Sequence, residues 1–169
     1  LFDTLARIRW EQRNFDEAMQ LHHFATCADD KDEFLAQNYF LSALALGQTD
    51  KVIDFLQRRF QRFGAKSSWP ARTLYQAYMQ LERRADAFET LDEAMRLRPN
   101  DGELLTYAGE SHMHRGEFDK AEAILAKAEG VSKPGARLRS LAYLAYNQDQ
   151  RGKARELWAE IIKLEPLAE

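Results

Sequence analysis

The side chains best able to do chemistry fall in three clusters. His112 and His114 lie two residues apart, with Glu110 and Glu117 beside them. Imidazoles and carboxylates are zinc ligands. On a helix, however, residues two apart point in different directions, whereas i and i+4 share a face, so this spacing makes a poor chelating pair. His22 and His23 are adjacent, hence also on different faces, and Cys27 lies near the end of the same predicted helix. A cysteine nucleophile needs a base within hydrogen-bond reach and a third group to orient that base; the sequence marks no such group. The basic run Arg58, Arg59, Arg62 and Lys66 flanks Phe60 and Phe63. It reads either as an anion or acidic-partner patch or as a solvated helix face over a packed aromatic stripe. Gly102, Gly109 and Gly116 are seven apart and do not make a phosphate-cradling loop. The expectation is no catalytic residue, no metal, no cofactor, and no enzyme activity of the chain's own.

Composition narrows the function classes. The chain has 169 residues, 45% hydrophobic and 30% charged, with a net charge of −3. No basic excess exists to release counterions from phosphates, so no nucleic-acid partner is expected. The single cysteine excludes an internal disulfide framework and a multi-thiolate zinc site, and fits a reducing compartment. No apolar run approaches the roughly 18 residues of a membrane span, so no membrane insertion is expected. Leu1–Trp10 carries Asp3, Arg7 and Arg9 and does not read as a signal peptide. The expected location is the cytoplasm, or the periplasm if a leader was removed. The start is not a methionine, and the chain is read as a fragment or processed product.

What must position these side chains is a set of amphipathic helices. From Trp69 to Pro99, Leu74, Tyr75 and Tyr78 sit at i, i+1 and i+4, and Ala87, Leu91 and Ala94 at i, i+4 and i+7. That spacing predicts two helices joined by the polar turn Glu82-Arg83-Arg84 and stopped by a proline. The pattern recurs. Ala18, Val52, Ala87, Ala121 and Ala154 are separated by 34, 35, 34 and 33 residues. Four residues after each stand His22, Leu56, Leu91, Leu125 and Trp158, which predicts a half-buried His22. Seven after each stand Ala25, Arg59, Ala94, Ala128 and Ile161. Earlier, at near-constant offset, come Leu5-Ala6, Tyr39-Phe40, Leu74-Tyr75, Ala108-Gly109 and Leu141-Ala142. Small residues recur where paired helices cross closely and a bulky side chain would overpack. Pro70, Pro99, Pro134 and Pro166 fall near expected helix ends.

A period near 34 residues with these slots resembles the tetratricopeptide repeat. The resemblance covers the chain as a single array of five units, about 1–31, 32–67, 68–101, 102–134 and 135–166. Repeat three matches best. Repeat two is weakest, with Phe40 and Arg59 in small-residue slots and a loop at 64–68 that reads as a joint of altered curvature. The family implies an all-α, right-handed α-solenoid of about ten helices in antiparallel pairs. It also implies that first helices line a concave groove. Transferred by register, that selects Gln37, Asn38 and Leu41; Arg72, Gln76 and Met79; Thr106, Tyr107, Glu110, Met113 and His114; and Arg139, Tyr143, Tyr146 and Asn147. Amides, arginines, tyrosines and methionines suit a peptide or helix in a groove. No frame supplies the Lys, Asn and Arg set of the family's carboxylate-clamp co-chaperones. The implied function is a scaffold or adaptor for a protein or peptide partner. The alternative is a recruitment domain of a larger enzyme or assembly complex. Finally, Ala154, Leu157, Trp158, Ile161, Ile162 and Leu164 make an apolar arc too wide for one neighbour. A further helix, or a second copy forming a homodimer, is expected to cover it.

Overall fold

The computed structural model describes residues 1–164. Pro166, expected to stop the last helix, lies outside the described residues. The described residues form ten α-helices and no strand, which is the all-α architecture expected. They are α1 (Phe2–Glu11), α2 (Phe15–Ala28), α3 (Glu33–Ala45), α4 (Asp50–Phe63), α5 (Trp69–Gln80), α6 (Arg84–Leu97), α7 (Gly102–His114), α8 (Phe118–Lys127), α9 (Pro134–Asn147) and α10 (Arg151–Leu164). None is long and apolar enough to cross a membrane. The chain divides into two compact bodies, Leu1–Ala94 and the part from Met95 onward, with the division inside α6.

Local chemistry sets the helix ends. Asp32 caps α3, its Oδ1 accepting the Phe34 and Leu35 N–H groups at 2.9 and 3.4 Å. Asp101 does the same for α7 through the Leu104 N–H at 3.0 Å. Pro70 and Pro134 sit in the first turns of α5 and α9, where a missing N–H costs nothing. Pro134 therefore opens a helix.

Every first helix ends in the same way. Arg13, Gly47, Glu82, Gly116 and Asp149 all have positive φ, between 57° and 81°. Each stands five residues before the alanine slot of its pair. In each turn the next N–H returns to a carbonyl five residues back: Asn14 to Arg9, Gln48 to Ala43, Arg83 to Tyr78, Glu117 to His112 and Gln150 to Ala145, at 2.8–3.0 Å. This Schellman-type closure satisfies carbonyls the helix end would otherwise leave unpaired. Glycine takes the left-handed conformation freely; Arg13, Glu82 and Asp149 do so at a cost of about 1–2 kcal/mol each.

The packing register follows the sequence slots. Ala18, Val52, Ala87, Ala121 and Ala154 are all buried, as are Leu56, Leu91 and Leu125. Gly109 is required to be small because a Cβ there would stand 2.7 Å from Leu125 Cγ. Three positions depart from expectation. His22 is buried, not half-buried, and Trp158 is half-buried. The largest departure is Arg59, only 5% exposed in a slot that holds alanine in repeats one, three and four. Its guanidinium grips Glu33 with both Nη atoms at 3.0 and 3.2 Å, and donates to the Asp30 carbonyl at 2.6 and 3.2 Å. Thr73 adds its hydroxyl to Glu33 at 2.7 Å. The basic run is thus not one solvated face, since Arg59 is buried in an ion pair that joins α4, α3 and α5.

Candidate functional site

The surface left over by this packing is the candidate site. In the N-terminal body, Asn38 donates Nδ2–H to Asp3 Oδ1 at 2.9 Å, tying α3 to α1. The same oxygen lies 3.4 Å from His22 Nδ1 on α2. Burial pushes the His22 imidazole below its ordinary pKa, opposed in part by Asp3. His22 and Asn38 line a cleft of about 390 Å³ together with Arg7, Trp10, Glu11, Phe34, Leu41 and Ser42. Its walls are aromatic and aliphatic, an imidazole and an amide supply polar groups, and both signs of charge stand among its lining residues. Of the expected residues, Asn38 and Leu41 belong to this cleft, whereas Gln37, half-buried on α3, does not line it. Further along, the Arg72 guanidinium lies over the Trp69 ring at 4.8 Å. Gln76 and Met79 are exposed.

In the C-terminal body, Tyr107 and Glu110 are half-buried on α7. Glu110 Oε1 accepts the Ser140 hydroxyl at 2.6 Å, joining α7 to α9. His114, Arg139, Tyr143, Tyr146 and Asn147 are exposed; the last four of these stand on α9, which also carries Ser140. Tyr143 stands edge-on to Trp158 of α10 with ring centres 5.3 Å apart. Two expected positions do not face outward. Met113 packs in a core cluster with Ala121, Leu125 and Leu144. Thr106 is buried, its hydroxyl turned back to the Gly102 carbonyl at 2.7 Å. Both correspond to surface positions in the family pattern, but here the packed helices cover them.

The chemically suggestive clusters resolve into structural roles. His112 is fully buried, and its Nδ1 lies 2.6 Å from Glu117 Oε2. That hydrogen bond, with Arg115 and Lys120 nearby, holds the Glu117 carboxyl below its usual range. The pair closes the turn from α7 to α8. His114 is exposed while His112 is buried, as the two-residue spacing predicts. His23 Nε2 lies 3.7 Å from Cys27 Sγ, and the imidazole is packed against Tyr39 and Phe55 at 4.9 and 5.6 Å. Burial, then the nearby Cys27, raises the Tyr39 phenol. Among the described residues no three His, Cys, Asp or Glu side chains converge as a metal site would need.

Several cleft residues were not singled out as site residues in the sequence. Arg7 stands 34 residues before Leu41, so the repeat spacing itself pointed to it. Trp10 in repeat one and Phe34 in repeat two are large apolar residues outside the packing slots.

Comparison with known proteins bears on the fold. Residues 78–142 match the family model described as tetratricopeptide repeat. No curated protein matches the sequence. Among solved structures, the chain is similar to TTC0263, a thermophilic tetratricopeptide-repeat protein of Thermus thermophilus. The identity is 21%, with 98% of this chain and 91% of that chain covered and a TM-score of 0.63. It is also similar to MamA, at 18% identity, 99% and 95% coverage and a TM-score of 0.59. A structure of MamA from AMB-1 gives 18% identity, 99% and 92% coverage and a TM-score of 0.56. The tetratricopeptide repeat is therefore shown in this chain, and its helical-repeat fold extends over the described residues.

Proposed function

We propose that this tetratricopeptide-repeat chain is a non-catalytic interaction module that holds a peptide or helical segment of a partner protein on the exposed faces of its first helices. The family's general use as an interaction scaffold supports the class of function. One observation carries the finer reading: what remains exposed after the packing slots are filled is rich in binding-type side chains. In the N-terminal body, Trp10, Phe34 and Leu41 frame a cleft with Arg7, Glu11 and Asn38. In the C-terminal body, Tyr143 and Tyr146 stand exposed on α9, which also carries Arg139 and Asn147. Tyrosine, tryptophan and arginine concentrate binding energy at protein interfaces, because large rigid rings bury area at little entropic cost.

The test is affinity capture with the wild-type chain and with Leu41→Glu and Tyr143→Ala, followed by titration of the captured protein against each. Loss of binding with an unchanged helical signal and melting temperature supports the reading. Full retention by both variants removes it. On α10, Ile162 and Leu164 are more than half exposed, and a second copy seated there belongs to the same proposal. A monomer mass at high protein concentration removes that part.

A further inference from the structure

A second cleft lies away from the first-helix cleft, where the loops joining successive helix pairs meet in the N-terminal body. It encloses about 290 Å³ and is lined by Lys31, Glu33, Phe63, Lys66, Ser67 and Pro70. These residues come from the α2–α3 loop, the start of α3, the end of α4, the loop after it and the start of α5. Charge in this neighbourhood is unevenly satisfied. Asp30 is paired with Arg62 at 3.0 Å. Asp32 is occupied by the N–H groups of α3. Asp29 takes the backbone N–H of Lys31 at 3.3 Å. Glu33, the one acid in the cleft wall, has both oxygens held by Arg59 and a further bond from Thr73. The ammonium groups of Lys31 and Lys66 have no carboxylate partner among the described residues. The cleft wall therefore holds two ammonium groups with no ion-pair partner among the described residues, while Asp29 and Asp32 keep their charge outside the lining, in a chain whose net charge is −3.

From this we infer a binding site for an acidic peptide segment, in which carboxylates meet Lys31 and Lys66 while one apolar side chain enters between Phe63 and Pro70. Size limits the occupant. About 290 Å³ is at the low end for small-molecule sites, which run from about 300 Å³ upward, while a cavity of about 150 Å³ holds a benzene ring. One leucine or phenylalanine side chain fits, and a coenzyme does not. The two ammonium groups accept either anion as point charges but give phosphate no bidentate grip, so the apolar slot between Phe63 and Pro70 is what points to a peptide. Arginine is the residue that grips phosphate bidentately, and Arg59 and Arg62 are already committed to Glu33 and Asp30. What remains are two ammonium point charges beside an aromatic and a proline. The Arg59–Glu33–Thr73 bonds fix the Glu33 side of the wall, so binding has only the exposed Lys31 and Lys66 side chains to order. This surface is independent of the first-helix reading above.

The probe is a fluorescein-labelled peptide with a central leucine-phenylalanine pair flanked by two glutamates on each side, titrated against the full chain by fluorescence anisotropy. Lys31→Glu with Lys66→Glu should weaken binding at least about tenfold, because each reversal replaces an attraction with a repulsion. Lys31→Arg with Lys66→Arg should bind nearly as wild type. Replacing the central pair by two glycines should weaken binding several-fold, and replacing the glutamates by lysines should abolish it. Circular dichroism checks that each lysine variant folds. Equal binding by the Glu variant overturns the inference. So does equal competition by inorganic phosphate, or equal binding of the glycine peptide, either of which would mean a generic anion site. Leu41→Glu separates the two surfaces. If it abolishes peptide binding while the lysine reversals do not, the peptide sits on the first-helix face, which overturns this inference and leaves the proposed function standing.

Discussion

Repeats two and four fill the same two slots in opposite ways. In register, Glu33 and Arg59 of repeat two correspond to Gly102 and Ala128 of repeat four. Repeat three has Ser68 and Ala94 there, and repeat five Gly135 and Ile161. In repeat four the slots are small because backbone closes over them: a Cβ on Gly102 would run into the Val131 carbonyl and the Ser132 backbone. In repeat two the same space is filled by a buried ion pair that also collects the Asp30 carbonyl and the Thr73 hydroxyl. The register thus dictates that these slots are buried, but not what chemistry fills them. Small residues and a fully bonded charge pair are two solutions to one packing requirement, and only the second creates a place where surplus lysines can gather.

The sharpest way to break the comparison is Arg59→Ala. It leaves the half-buried Glu33 without its partner beside a void and should cost about 3 kcal/mol by urea denaturation, the low end for a buried pair. Removing both partners, Arg59→Leu with Glu33→Ala, should cost less than the single change, since no unpaired charge remains. A larger loss in the double variant would show that the pair itself is the stabilising element. Ala121→Leu tests the small-residue solution in repeat four. Its site is fully buried, and overpacking should cost about 1–3 kcal/mol; an unchanged melting temperature would contradict the register. The turns give a smaller effect of opposite sign. Glu82→Gly should stabilise by about 0.5–1 kcal/mol, because the left-handed strain it relieves exceeds the extra freedom of the unfolded glycine. A destabilised variant would mean that the Glu82 side chain matters more than its backbone.

Acid provides the mildest test. The folded-state pKa of His22 is depressed below 6.5 by burial. Its contribution is therefore intact above pH 6.5 and is lost as pH falls below it, because the unfolded chain binds the proton more readily. Glu117, also depressed, adds a second loss below its ordinary 4.5. Stability measured across a descending pH series from about 8 to about 3 should decline, and His22→Gln should flatten the upper part of that decline. A profile unaltered by the substitution would assign the slope elsewhere.

Much of the fold was legible because burial in a repeat is periodic. The alanine slots, the leucines four residues on and the turn at Glu82 could be read from spacing alone. Burial of Thr106 and Met113 was not, since each depends on how closely a neighbouring helix approaches. The candidate surface was partly legible: Asn38, Leu41, Arg72 and Tyr143 were marked by register, while Trp10 and Phe34 were found only once the neighbouring helices formed a cleft around them.

The sequence by itself determined the helix pairs, their period and the lack of a chelating histidine spacing, because these follow from side-chain periodicity and local backbone preference. Tertiary structure decided the chemistry. Arg59 and Glu33 are 26 residues apart, and Asp3 and Asn38 are 35 apart. Nothing local couples them. Whether an arginine is a free cation or a buried strut depends on which carboxylate the packed helices bring to it, and that is a property of the assembled fold.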